Sequence, residues 1–157
     1  MFKHILVPLD GSELAESVLP LVESLGKQLD AKVSLVRIVD VSAITRAVVP
    51  ATPEVGGGFS PEIQSIIDES VEAELKEAAV YLTRAAKRLP SVTTVTEVRQ
   101  GIPAEELVEA INSEGVDAAV VATHGRSGIS RTIFGSVADH LIRESGKPII
   151  VVKPKQD

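Results

Sequence analysis

The chain has no cysteine and no tryptophan, and only 3% of its 157 residues are aromatic. Structural disulfides and cysteine-ligated zinc or iron–sulfur sites are therefore excluded, and a reducing cytosol suits such a chain. A basic excess is also missing: 16 Lys and Arg stand against 22 Asp and Glu, a formal net charge of −6. With no long run of Lys or Arg to grip a phosphate backbone, the composition argues against a nucleic-acid partner. Long apolar runs are absent too. The stretches Ala118 to Ala122 and Pro148 to Val152 fall far short of the roughly 20 residues of a membrane span. Met1-Phe2-Lys3-His4 leads directly into a strand-like run rather than into a signal peptide, so the expected location is the cytoplasm, with no membrane partner.

What is present is enough apolar matter, 44% of the chain, for one well-cored domain spanning residues 1–157. His4 to Pro8 is a continuous aliphatic run, the pattern of a parallel strand buried on both faces. Asp10-Gly11-Ser12 breaks it, and Ser12 is placed to cap a helix with apolar positions Leu14, Val18, Leu21, Val22, Leu25 and Leu29, kinked or opened at Pro20. Lys32 to Val39 reads as a second strand. The stretch from Asp40 to Ser60, with Pro50, Pro53 and Gly56-Gly57-Gly58, reads as a mobile segment. Ser60-Pro61 then starts a long helix to about Arg88, whose stripe of Ile63, Ile66, Ile67, Val71, Leu75, Ala78, Leu82, Ala85, Ala86 and Leu89 is expected to pack in the core.

Val92 to Val98 mixes Val with Thr and Glu, as an edge strand with one wetter face would. Gly101-Ile102-Pro103 opens an amphipathic helix ended by Gly115; Val116 to Ala122 is a buried strand; His124 to Phe134 is a polar loop. Gly135-Ser136 opens a helix, and Pro148 to Lys153 is the last strand. The alternation βαβαβαβαβ implies parallel strands with right-handed crossovers, a doubly wound α/β fold with helices on both faces.

Ligands of such sheets bind beyond the carboxyl ends of the strands, where successive connections diverge. The loops at issue follow the first strand (Pro8 to Ser12), the second (Val39 to Val41) and the fourth (Ala122 to Ser136). The last holds Gly125, Gly128 and Gly135, Arg126 and Arg131, and a Gly-Ser pair at a helix start. Free N–H groups and about half a positive charge favour phosphate at a helix start, and glycine lets the backbone come close. There is no Walker A sequence and no Gly-x-Gly-x-x-Gly after a strand, which argues against a P-loop NTPase or an ordinary dinucleotide dehydrogenase.

The segments Ile5-Leu6-Val7-Pro8-Leu9-Asp10-Gly11-Ser12, Val121-Ala122-Thr123-His124-Gly125-Arg126-Ser127-Gly128, Gly135-Ser136-Val137-Ala138 and Lys147-Pro148-Ile149-Ile150-Val151-Val152 resemble the universal stress protein family, in order and through the whole chain. Its ATP-binding branch carries Gly-x2-Gly-x9-Gly-Ser/Thr, which falls here on Ala122, Gly125, Gly135 and Ser136. The spacing is kept, but Ala122 replaces the first glycine. The fold expected is then a doubly wound five-stranded parallel sheet in the order 3-2-1-4-5. The resemblance implies ATP, with any Mg2+ arriving on the nucleotide. Asp10 with the Pro8 and Leu9 backbone would hold the adenosine end, Val39 would line the base, and Gly125, Gly135, Ser136 and Val137 would cradle the phosphates, with Ala122, His124 and Arg126 beside them. It also points to a homodimer through Ile149 to Val152, which would cover an exposed strand edge, and to a regulatory protein partner of unknown identity.

Other chemistry finds little footing. Asp10 is also the residue an Asp-Gly-Ser turn needs for its own cap. His124 has no carboxylate placed to orient it, so no catalytic role is assigned to it. Histidines at 4, 124 and 140 lack metal-ligand spacing, and Gly125-Arg126-Ser127-Gly128 is one residue short of a nucleophile elbow. Turnover of ATP, if any, is expected to be slow. The alternative to a nucleotide-dependent stress or regulatory homodimer is a nucleotide-free interaction module of the same fold, with Ala122 marking a lost pocket and the segment from Val41 to Ser60 as its docking loop.

Overall fold

The structure, a computed structural model, describes residues 2–49, 58–113, 115–123 and 136–154. In chain order these form β1 (His4–Pro8), α1 (Glu13–Glu16), α2 (Leu19–Leu29), β2 (Lys32–Val39), α3 (Val41–Val48), α4 (Pro61–Ala86), β3 (Thr94–Gln100), α5 (Pro103–Asn112), β4 (Ala118–Ala122), α6 (Ser136–Glu144) and β5 (Ile149–Val152). The strands pair in parallel in the order β3-β2-β1-β4-β5, the expected doubly wound sheet.

The aliphatic strands divide their side chains between two cores because successive Cβ atoms point to opposite faces. Ile5, Val7, Val33, Leu35 and Val120 meet Leu19 and Val22 of α2 and Tyr81, Leu82 and Ala85 of α4 on one face. Leu6, Val36, Ala119 and Val121 meet Leu107, Ala110 and Ile111 of α5 and Ala138 and Leu141 of α6 on the other. The connections leading out of β1 and β2 therefore cover one face and those out of β3 and β4 the other. The reversal falls between the adjacent strands β1 and β4.

Local signals explain most element boundaries. Ser12 accepts the Ala15 N–H at 3.1 Å to cap α1, and Ser60 accepts that of Ile63 at 3.4 Å to cap α4. The helix expected after Ser12 is two helices, opened at Ser17 and Val18, with Pro20 in the first turn of α2. A proline there has no N–H to lose from the ladder.

Two expectations are corrected. The segment from Asp40 to Ser60, expected to be mobile, begins with an ordered element: Val41–Val48 is a helix, capped by the Asp40 carboxylate, which accepts the Ala43 N–H at 3.0 Å. Residues 50–57, with the Pro and Gly signals that led to the expectation, lie outside the described residues. The stripe of α4 is not core throughout either, since Ile66 is 52% exposed while Ala78, Leu82 and Ala85 are buried. Its 26 residues make a helix of about 39 Å, longer than the strands beneath it, so its first turns face α3 instead of the sheet.

Candidate functional site

The pairing of β1 with β4 covers Ile5 with Ala118 and Leu6 with Ala119, whereas β1 stays paired with β2 as far as Pro8 and Val36. Beyond Leu6 the chain follows β2, with the Leu9 N–H bonded to the Val36 carbonyl at 2.8 Å. β4 instead follows β5, with the Thr123 N–H on the Val152 carbonyl at 2.8 Å. A crevice opens where the two part, the position at which open α/β sheets bind ligands.

The crevice is a cavity of about 190 Å³. Pro8, Leu9, Asp10, Ser12, Leu14 and Ala15 wall it from the first loop and α1, and Val121, Ala122, Val137 and Ala138 wall it from β4 and α6. Val36 and Ile38 of β2 and Pro103 and Leu107 of α5 complete it. It is mostly apolar with one acid at its mouth. Asp10 Oδ1 accepts the Ser12 N–H at 2.9 Å and the Ser12 hydroxyl at 2.6 Å, while Oδ2 takes no hydrogen bond from the described residues. Val137 and Ala138 belong to the first turn of α6, so the N-terminal, electropositive end of that helix adjoins the cavity. Asp139, the acid of that turn, pairs with Arg143 at 3.0 Å.

Among the sequence-predicted residues, Pro8, Leu9, Asp10, Ala122 and Val137 are thus brought to one cavity. Val39 is 5% exposed, and its carbonyl accepts the Gly101 N–H at 3.0 Å; the cavity wall from β2 is Val36 and Ile38, which point to the opposite face from Val39. Ser136 begins α6. His124, Gly125, Arg126 and Gly135 lie outside the described residues. Sequence reasoning missed Val36, Ile38, Pro103 and Leu107, as well as Leu14, Ala15, Val121 and Ala138 close to predicted residues. The parity of β2 carried a signal for the first two, since residues 36 and 38 share the face of Leu6; only the topology brings α5 over β1.

A second cavity, about 390 Å³, lies between α3 and α4, lined by Val41, Phe59, Ile67, Val71 and Leu75 and by Gln64, Asp68 and Glu72. Its two carboxylates disfavour an anionic ligand. His4 sits at the amino end of the sheet, away from both cavities. Its Nδ1 lies 3.1 Å from the Gly115 carbonyl and its Nε2 2.6 Å from the Ser34 hydroxyl, so the ring is occupied in holding strands together. Among the described residues no group of acids and histidines has the geometry of a metal site, and no helix is long and apolar enough to cross a membrane.

The sequence matches the model of the universal stress protein family over residues 1–153. It is 30% identical to universal stress protein MJ0531 of Methanocaldococcus jannaschii, over 100% of this chain and 86% of that one. The solved structure of MJ0577, a protein of the same organism, superposes with a TM-score of 0.79 at 28% identity, covering 100% of this chain and 99% of the other. Two more distant structures share the fold. A universal stress protein in complex with cAMP has 19% identity, 97% coverage of both chains and a TM-score of 0.62. One from Archaeoglobus fulgidus in complex with dAMP has 17% identity, 98% coverage of both chains and a TM-score of 0.57.

Proposed function

The chain belongs to the universal stress protein family, and from that premise we propose that its crevice binds ATP and that occupancy regulates a cytoplasmic homodimer of this single domain. The observation that carries the reading is the coincidence of the cavity with the point where β1 and β4 diverge, walled by Asp10 on one side and the first turn of α6 on the other. Relatives of this fold solved with cAMP and dAMP support an adenine nucleotide as the ligand class.

The cavity volume of about 190 Å³ is below the roughly 300 Å³ of a pocket that encloses a whole small ligand. The enclosed part takes the adenosine end, against Pro8, Leu9, Val36 and Ile38 with Val39 behind them, and Asp10 Oδ2 accepts from a ligand hydroxyl. The phosphates then lie toward the α6 N-terminus, held by Gly125, Gly135, Ser136 and Val137, with His124 and Arg126 nearby. A Mg2+ ion, where used, comes with the phosphates and screens their charge. The chain's own contribution is binding and orientation; the sequence supplies no general base for rapid hydrolysis.

Ala122 belongs to the cavity wall, yet its backbone is not strained, since Asp30 alone among the described non-glycine residues has positive φ. The alanine methyl therefore sits in the wall at no cost in backbone strain. The dimer forms through the outer edge of β5, an apolar strand that among the described residues pairs with β4 alone. Calorimetric titration of ATP, with and without Mg2+, into the parent chain and Gly135→Asp tests the reading. Micromolar binding that the carboxylate abolishes supports it. A folded parent that binds no ATP overturns it in favour of a nucleotide-free interaction module.

A further inference from the structure

Asp10 faces the crevice from a turn that has a second, hidden side. Its carboxylate is tied to Ser12, and Ser12 in turn caps α1. Between them Gly11 stands at φ +90°, a conformation that costs glycine nothing and other residues much. Behind that glycine lies Arg37 of β2, which has the opposite parity to the cavity-lining Val36 and Ile38. A Cβ on Gly11 would come 3.4 Å from Arg37 Nη1, 3.8 Å from Cζ and 3.9 Å from Nη2. A Cβ there would sit in ordinary van der Waals contact with the guanidinium, which therefore backs directly onto the turn.

Arg37 is itself braced. Its Cζ lies 5.0 Å from the centroid of the Tyr81 ring on α4, within cation–π range, and Arg84 approaches the same ring at 5.9 Å. Tyr81 is 7% exposed and anchored in the core beside Leu82 and Ala85. Among the described residues Arg37 has no carboxylate partner. A flat, delocalised cation fits between a ring face and a bare backbone where the rounder ammonium of lysine would not.

We infer that Arg37, seated on Tyr81, is a positioning residue for the crevice: it packs the Gly11 turn from behind and fixes the direction in which Asp10 meets a ligand. Arg37 does not line the cavity, so it acts on a ligand only through the turn. For the identity of that ligand the inference rests on the nucleotide reading; for the packing it does not.

The test has two arms. Amide hydrogen exchange at Gly11 and Ser12 is compared in the parent, Arg37→Met and Tyr81→Leu, and ATP is titrated into the parent, Arg37→Met, Asp10→Asn and the Arg37→Met/Asp10→Asn double variant. Both packing variants are expected to speed exchange in the turn. Arg37→Met should weaken ATP binding roughly three- to thirtyfold, the range a partly buried cation–π contact spans, and this loss should vanish once Asp10 is Asn. A uniformly destabilised fold would instead weaken both backgrounds equally. Unchanged exchange in Arg37→Met, or an equal affinity loss in the Asp10→Asn background, overturns the inference. A parent that binds no ATP overturns the nucleotide reading, and the exchange arm then decides the packing on its own.

Discussion

Gly26 of α2 lies so close to Val92 that a methyl group added to the glycine would come within 2.7 Å of the valine Cγ1. The Val92 side chain of the turn before β3 thus packs directly onto the bare glycine of the helix.

Alanine at position 26 sets two effects against each other. Replacing a helix-interior glycine gains about 0.5–1 kcal/mol from backbone entropy, while forcing an extra methyl into packed space costs about 1–3 kcal/mol. The contact with Val92 is short enough for the second to win. Gly26→Ala is expected to lower unfolding free energy in urea titration by roughly 1–2 kcal/mol, and Val92→Ala in the same chain should return part of the loss. A stabilised Gly26→Ala would contradict the close approach.

His4 makes stability depend on pH. The Gly115 carbonyl can only accept, so Nδ1 donates to it and Nε2 accepts from the Ser34 hydroxyl. Burial, aided by the Lys32 charge, holds the imidazole below its usual 6.5, outweighing the Gly115 bond and the Asp117 charge. The unfolded chain therefore takes up the proton first as pH falls. Stability from this source is complete above about 6.5 and is lost as pH drops through the folded-state value. The melting temperature should decline from pH 7.5 to 5.5, and the decline should be shallower in His4→Gln. An equal slope in both proteins would place the titration elsewhere.

Ala122→Gly would restore the family's spacing of glycines at a site whose backbone is already regular. Removing the methyl widens the crevice beside the proposed nucleotide, so ATP affinity should rise. A glycine inside β4 should also cost about 0.5–1 kcal/mol of stability. Titration and thermal melting on the same sample separate the two effects. Unchanged or weaker binding would mean that the methyl does not meet the ligand.

The outer edge of β5 can be addressed one peptide at a time. Ala119 donates to the Pro148 carbonyl and Thr123 to that of Val152, so the alternate residues Ile149 and Val151 direct their peptide groups outward. Val151→Pro removes an outward N–H and leaves the ladder to β4 intact, as edge strands tolerate. Sedimentation should show a dimer in the parent and a monomer in Val151→Pro. A parent monomer, or a variant dimer of parental strength, would exclude β5 pairing.

The continuous aliphatic runs within His4 to Pro8 and Ala118 to Ala122 made the parallel sheet legible, because only strands covered on both faces need no polar side. Ser12 and Ser60 marked their helices by chemistry local to the cap. Helix α3 was hidden: its cap, Asp40, was in plain view, but the prolines and glycines that follow dominate the window and it has no fully buried residue. In the site, Asp10 and Ala122 were legible because they end strands that must point at the crevice. Pro103, Leu107 and Arg37 were not, since what brings them there is the order of strands and the packing of α4, neither of which leaves a mark at those positions.

The two outer strands of the sheet differ in character. β5 is Ile-Ile-Val-Val, whereas β3 carries Glu97 and Arg99, joined to each other at 2.6 Å, with Glu106 of α5 within 3.6 Å of the same arginine. Charges on an outer strand discourage addition of another. A sheet with two apolar rims would keep recruiting copies into a fibre; one with a single such rim is saturated after the first encounter. The asymmetry of its rims would hold the proposed pairing through β5 at two copies.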